Sequence, residues 1–165
     1  MKETEYVLDT PRDYKKYPAL NSNYIEILGN GGLYSLNFDR IFLYRPAFKI
    51  SGRAGAMIWP NGYNIEQGYV VENNYIFFNG DHHLEIGPGL TLQRKYNPSC
   101  KDTITYKWES IWFGMFRLGY RYQKESDGFF FRFGLTPIFY RKYDCREDLP
   151  PPNWFWLGIA VGMSY

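Results

Sequence analysis

The chain has 165 residues, a formal net charge of +2 and 22% charged residues. That is the length of one domain, with too much apolar content for charge-driven disorder and no basic stripe to hold nucleic acid. Aromatic residues reach 21%, as 16 Tyr, 13 Phe and 5 Trp beside 16 Gly, which favours strands and turns over a helical bundle. Mean hydropathy is −0.45, and the longest apolar run, around 154–163, falls short of the ~20 residues a membrane helix needs. A helical membrane protein is excluded. A membrane β-barrel is not, because its strands need an apolar residue only at alternate positions.

In chain order, residues 1–20 are polar, balanced in charge and interrupted by Pro11 and Pro18. They predict a tail outside a domain that occupies 21–165, or, as the sharper alternative, a docking strand for a partner. From there, turn signals recur at short intervals without a linker, as in an all-β meander. The clearest are Gly29-Asn30-Gly31-Gly32, Arg45-Pro46, Asn79-Gly80-Asp81 and Ser126-Asp127-Gly128. They divide the chain into eight predicted strands, at about 21–29, 32–43, 47–59, 69–79, 83–95, 108–123, 128–141 and 154–165. Pro88 and Pro137 fall inside the fifth and seventh and predict local bulges or strand ends. Gly29-Asn30-Gly31-Gly32 has neither a following helix nor the Lys of a phosphate loop, so it reads as a hairpin turn.

The faces of these strands carry the functional information. In the fifth, Leu84, Ile86, Pro88, Leu90 and Leu92 share one side, with Glu85, Gly87, Gly89, Thr91 and Gln93 on the other. In the last, Phe155, Leu157, Ile159, Val161 and Met163 alternate with Trp156, Gly158, Ala160, Gly162 and Ser164. The polar face holds Gly, Ser, Thr and a few Arg and Glu, unlike the Lys and Glu of a wetted sheet. That composition suits a crowded polar lumen with the apolar face turned to lipid. Connection lengths point the same way. Residues 44–47, 79–82 and 124–128 are short and fall on one side, while 60–68, 96–107 and 142–153 are long and fall on the other. Only the 29–32 turn breaks that sorting. The fold expected is an all-β, eight-stranded antiparallel up-and-down transmembrane β-barrel.

Several stretches resemble small outer-membrane barrels of Bacteroidetes-type bacteria. They are the run from Ile25 through Gly29-Asn30-Gly31-Gly32 to Asp39-Arg40, His83-Leu84-Glu85-Ile86-Gly87, Gly119-Tyr120-Arg121-Tyr122-Gln123, and Phe130-Phe131-Arg132-Phe133-Gly134. The terminal run resembles the C-terminal β-signal of such proteins, with Ile159, Val161, Met163 and a final aromatic Tyr165. The resemblance implies a Gram-negative outer membrane, periplasmic termini, insertion by the barrel-assembly machinery and surrounding lipid as a partner. It implies no activity. A removable leader would be expected, yet residues 1–18 contain no apolar core of one; a truncated or misassigned start is the reading adopted.

An eight-stranded barrel has an interior just wide enough to be filled by side chains. Glu26, Asp39, Arg53, Glu85, Arg117, Arg121 and Arg132 fall on the inward face and predict a paired cross-lumen network that plugs the barrel and fixes its register. A selective ion path is the functional alternative. Asp81-His82-His83 places two His and one Asp at a hairpin tip, where they converge poorly for metal or base chemistry; an interfacial turn is expected, with no cofactor. Trp59, Tyr63, Tyr69, Trp108 and Trp112 at one end, and Tyr44, Tyr120, Tyr122 and Tyr165 at the other, suit two aromatic girdles. The function expected is non-enzymatic: a structural or accessory subunit of a larger envelope complex, contacting other outer-membrane proteins. A narrow solute channel and a soluble lipocalin-like barrel are the alternatives.

Cys100 and Cys145 match neither a zinc nor a CxxC pattern. Both fall in long connections on the side expected to be external, where a disulfide persists. A bond between them would stabilise the fold by ~4 kcal/mol in the chain-entropy account. Mass spectrometry of unreduced protein should show a mass two hydrogens lighter and no alkylation; two alkylated cysteines would remove the bond.

Overall fold

Period-two alternation of apolar and polar residues becomes eight antiparallel strands in the computed structural model, which describes residues 18–61, 64–97, 107–143 and 155–165. They are β1 (Asn21–Ile27), β2 (Tyr34–Arg45), β3 (Phe48–Asn61), β4 (Asn64–Phe77), β5 (His82–Asn97), β6 (Lys107–Gln123), β7 (Gly128–Tyr143) and β8 (Phe155–Ser164). Each strand pairs with its neighbours in sequence, and β8 returns to β1, closing a barrel. Cys100, Cys145, Tyr63 and the tail up to residue 17 lie outside the described residues.

β4 corrects one expectation. It starts at Asn64 rather than 69, and its ladder with β3 continues to Asn61↔Asn64. The expected long connection at 60–68 is therefore a two-residue link, and only 98–106 and 144–154 remain as long connections on that side. Glu66, Gln67 and Gly68 have poor strand propensity, but they are held on both sides, by β3 and by Lys95, Arg94 and Gln93 of β5. A Lys95–Glu66 ion pair of 2.8 Å adds to this. Pairing on both edges overrides propensity.

The prolines divide. Pro88 stands inside β5 with no shift of register, contrary to the expected bulge or strand end; the β4–β5 ladder only opens between Glu72↔Gly89 and Tyr75↔Ile86. Near Pro137 the β6–β7 register does shift, between Gly114 and Met115. A second shift lies in β2 between Ile41 and Leu43, leaving Phe42 as the extra residue of a bulge.

Pairing partners followed once around the barrel run Ile27, Ile159, Phe133, Tyr120, Leu84, Phe77, Phe48 and Arg45. Ile27 also pairs directly with Tyr34 on β2, so the circuit slips by eleven residues (45 − 34), one of them the Phe42 bulge. Such a slip over eight strands tilts them by about 40° from the barrel axis. Residues far apart in register thus share one level of the lumen.

Two features close the ends. At the upper rim, the β1–β2 connection folds into the lumen: residues 29–32 are all buried, Thr91 Oγ1 donates to the Asn30 carbonyl at 2.8 Å, and Gly32 takes a φ of 95°. At the lower rim, which carries Asn21 and Tyr165, Ala19 is buried. Its N–H donates to the Glu125 carbonyl at 2.8 Å, and Gln123 Nε2 donates to its carbonyl at 2.8 Å.

Inward glycines make room for this filling. Gly119, Gly134 and Gly158 pair in one row across β6, β7 and β8. A Cβ on Gly158 would stand 3.0 Å from Gly29 Cα and 3.1 Å from Glu26 Oε1. Gly158→Val should therefore destabilise the barrel by about 1–3 kcal/mol through overpacking, read as a lower urea midpoint for unfolding. An unchanged midpoint would mean that the turn does not press on β8.

Candidate functional site

The lumen is the candidate site, because the inward positions place all seven sequence-predicted charges in one buried cluster. Glu26, Asp39, Glu85, Arg117 and Arg121 are fully shielded, and Arg53 and Arg132 nearly so. An eighth member, Glu72, also buried, is absent from the sequence reading. Four guanidinium groups thus meet four carboxylates, and the set is electrically neutral.

Two clusters share one bridging arginine. In the upper, Glu26 binds both Arg53 and Arg117. Glu72 Oε1 lies 3.0 Å from Arg53 Nη1 and 3.4 Å from Arg117 Nε. In the lower, Arg121 reaches Asp39 Oδ1 at 2.7 Å and Glu85 Oε2 at 3.2 Å. Arg132 joins them, with one Nη2 contact to Glu72 Oε2 at 3.0 Å and another to Glu85. Neutral groups take up further valences. Arg53 Nε donates to Asn37 Oδ1 at 2.9 Å, Ser51 Oγ to Asp39 Oδ2 at 3.0 Å, Arg121 Nε to Gln123 Oε1 at 2.8 Å, and Arg132 Nη1 to the Tyr24 hydroxyl at 2.7 Å.

The guanidinium planes also pack on aromatic rings. Tyr24 and Phe130 stack at 4.7 Å between centroids. Arg53 and Arg132 lie 5.6 and 5.9 Å from the Tyr24 ring, and Arg121 lies 5.0 Å from Phe130. Arginine suits this place because its fork makes several planar bonds and its faces stack.

Sheet neighbours do not supply most counterions. Arg121 and Arg132 are adjacent on β6 and β7, a like-charge pair that neither strand neutralises. Asp39 sits beside Arg53 in register, yet bonds Arg121 across the lumen. Arg53–Glu72 and Arg121–Glu85 join adjacent strands, and the remaining pairs reach across the lumen of the closed barrel.

His82 and His83 point to opposite sides of β5 and cannot converge. His82 faces outward, its Nδ1 2.6 Å from the Tyr120 hydroxyl. His83 faces inward: Nδ1 lies 3.0 Å from the Phe78 carbonyl and Nε2 lies 3.3 Å from Lys49 Nζ. The carbonyl accepts, so Nδ1 carries the hydrogen and Nε2 accepts from the Lys49 ammonium.

The outer wall has the reverse chemistry. Leu36, Phe38, Phe42, Ile58, Val71 and Leu157 are among its exposed apolar side chains, and so are Ile159, Val161, Met163 and Tyr165 of the terminal run. Of the residues expected in girdles, Tyr69, Trp108, Trp112 and Tyr120 are exposed; the Trp59 side chain lies outside the described ones. The class so defined is a closed eight-stranded β-barrel with a neutral ionic core and an apolar exterior. No protein-family model, curated protein or solved structure matches the chain.

Removing one carboxylate leaves buried arginine without compensation, at about 3–5 kcal/mol. Glu85→Ala and Glu72→Ala should each cost that much in urea unfolding, and Glu85→Gln less, because its amide oxygen still accepts. Asp39→Ala should cost less than Glu72→Ala, since Asp39 meets one arginine and Glu72 meets three. Equal, negligible effects would place these side chains in water.

Proposed function

We propose that the chain is a non-enzymatic barrel of a Gram-negative outer membrane, with both termini periplasmic. It serves as a structural or accessory subunit of a larger envelope complex. Its partners are the membrane lipid, other outer-membrane proteins in the complex and, during insertion, the barrel-assembly machinery. The observation that carries this reading is the inversion of the two faces. Arg117, Arg121, Glu26 and Glu85 are fully buried while Leu36, Phe42, Leu157 and Met163 are half exposed or more. A water-soluble barrel holding an apolar ligand would have these the other way round, since burying charge costs several kcal/mol per ion and exposing apolar area forfeits about 25 cal/mol per Å². A lipid solvent reverses the second cost.

The filled lumen favours an accessory role over transport. Ion pairs span it, residues 29–32 lie across its upper end, and Ala19 covers part of its lower end. Recognition is left to the outer wall and rims.

The protein should fractionate with membranes and need detergent to stay dispersed; a monodisperse monomer without detergent overturns the membrane reading. Purification in mild detergent should recover it with another envelope protein at constant stoichiometry. Recovery alone, under conditions that keep known envelope complexes intact, overturns the subunit role. Planar-bilayer recordings should be silent, and a stable unitary conductance altered by Arg117→Ala or Arg121→Ala would establish a channel instead.

A further inference from the structure

An apolar groove and a polar pocket meet at one residue on the lower part of the wall. The groove, of about 500 Å³, runs along the outside of β5, β6 and β7. Leu84, Leu118, Tyr120, Phe133 and Leu135 flank it, and Gly119 and Gly134 lie within its lining. The pocket, of about 540 Å³, lies at the rim between the β4–β5 and β6–β7 turns, lined by Asp81, Lys124, Glu125 and Ser126. His82 lines both. Such a path, greasy along the wall and charged at the rim, has the shape of one lipid molecule with its head at the interface.

The charges narrow the headgroup. The pocket offers two carboxylates, one ammonium, one hydroxyl and the edge of an imidazole. Asp81 Oδ1 already accepts the Glu125 N–H at 3.3 Å, and Glu125 Oε1 lies 3.5 Å from the Tyr44 hydroxyl; both carboxylates keep further acceptor sites. A purely anionic head would meet more negative than positive charge. A choline head would bring a cation with no N–H to donate. A head with a phosphate and a primary ammonium matches both signs, phosphate to Lys124 and Ser126, ammonium to Asp81 and Glu125.

A second feature stands at the entrance. Phe78 lines the groove, is 61% exposed and holds a φ of 79°. That left-handed conformation is unusual for a bulky residue and clusters at ligand clamps. It sets an aromatic ring beside the junction of groove and rim.

We propose that this site holds one aminophospholipid of the phosphoethanolamine type, drawn from the leaflet at the terminal-bearing rim. The acyl chain lies along Leu84, Leu118 and Leu135, and the head lies between Lys124 and the Asp81–Glu125 pair. The site rests on the membrane reading and adds a lipid specificity to it.

The barrel is reconstituted in vesicles of phosphatidylcholine, alone or mixed with phosphatidylethanolamine or phosphatidylglycerol, then released in mild detergent for native mass spectrometry. One phosphatidylethanolamine should stay bound, at least tenfold more often than either other lipid. Leu135→Phe narrows the groove without adding a polar group and should lower retention at least tenfold, with insertion unchanged. The Asp81→Asn, Glu125→Gln double variant should shift retention toward phosphatidylglycerol, because Lys124 then stands without opposing charge. Equal retention of all three lipids, or retention unaffected by both variants, overturns the site while leaving the membrane barrel standing. Failure to insert in any vesicle removes the membrane reading and the site with it.

Discussion

Eight ionised side chains inside a barrel of eight strands set the terms for everything else in this molecule. An unpaired guanidinium or carboxylate in that place would carry a penalty of several kcal/mol, comparable with the whole stability of a small domain. Every one of the eight must therefore find an opposite charge, and the lumen is wide enough for this only if other inward positions are small. Gly55, Gly89, Gly119, Gly134 and Gly158 are those positions. A Cβ at Gly55 or Gly89 would meet Asn37 or Glu72, so the missing side chains are the space in which the charged ones lie.

The aromatic content, read first as strand propensity, serves two chemistries. Tyr24 and Phe130 lie inside and give guanidinium planes a surface to rest on. Many of the other described rings are outside, some in contact with one another near the lower rim, such as Phe48 with Tyr75 and Tyr122 with Phe129. Among the described residues the interior holds a small apolar cluster of Tyr24, Phe130 and Ala160, with Ile41, Met57, Val70, Ile76, Phe113 and Met115 also buried. Cohesion comes from the closed backbone ladder and from the ion pairs it encloses.

Strand count, order and facing were legible because period-two alternation survives wherever one face is uniformly apolar, as in β5 and β8. Glu72 escaped because Glu72, Asn73 and Asn74 are all polar, which erases the alternation at the point where it would have marked an inward charge; the flanking Val70 and Ile76, both buried, were the usable signal. The partners of each charge were not legible at all. Tilt brings Asp39 to Arg121 across the lumen, and no local spacing encodes that. The inward fold of residues 29–32 was likewise hidden, since a glycine-rich hairpin reads the same whether it leans out or in. Residues 60–68 looked like a loop from their composition, whereas strands on both sides hold their latter half in the sheet.

The distribution of the ion pairs among strands bears on how the barrel is assembled. Arg53, Arg117, Arg121 and Arg132 belong to β3, β6 and β7, while Asp39, Glu72 and Glu85 belong to β2, β4 and β5. Of the eight network members, a curled sheet of β2 to β7 therefore holds four positive charges against three negative ones. The fourth carboxylate, Glu26, arrives with β1, the shortest strand at seven residues, and docks between Arg53 and Arg117. Packing of β1 into the barrel thus completes the charge balance of the network. Without that strand one guanidinium of the network lacks its counter-charge, so the shortest strand carries the last of the compensation.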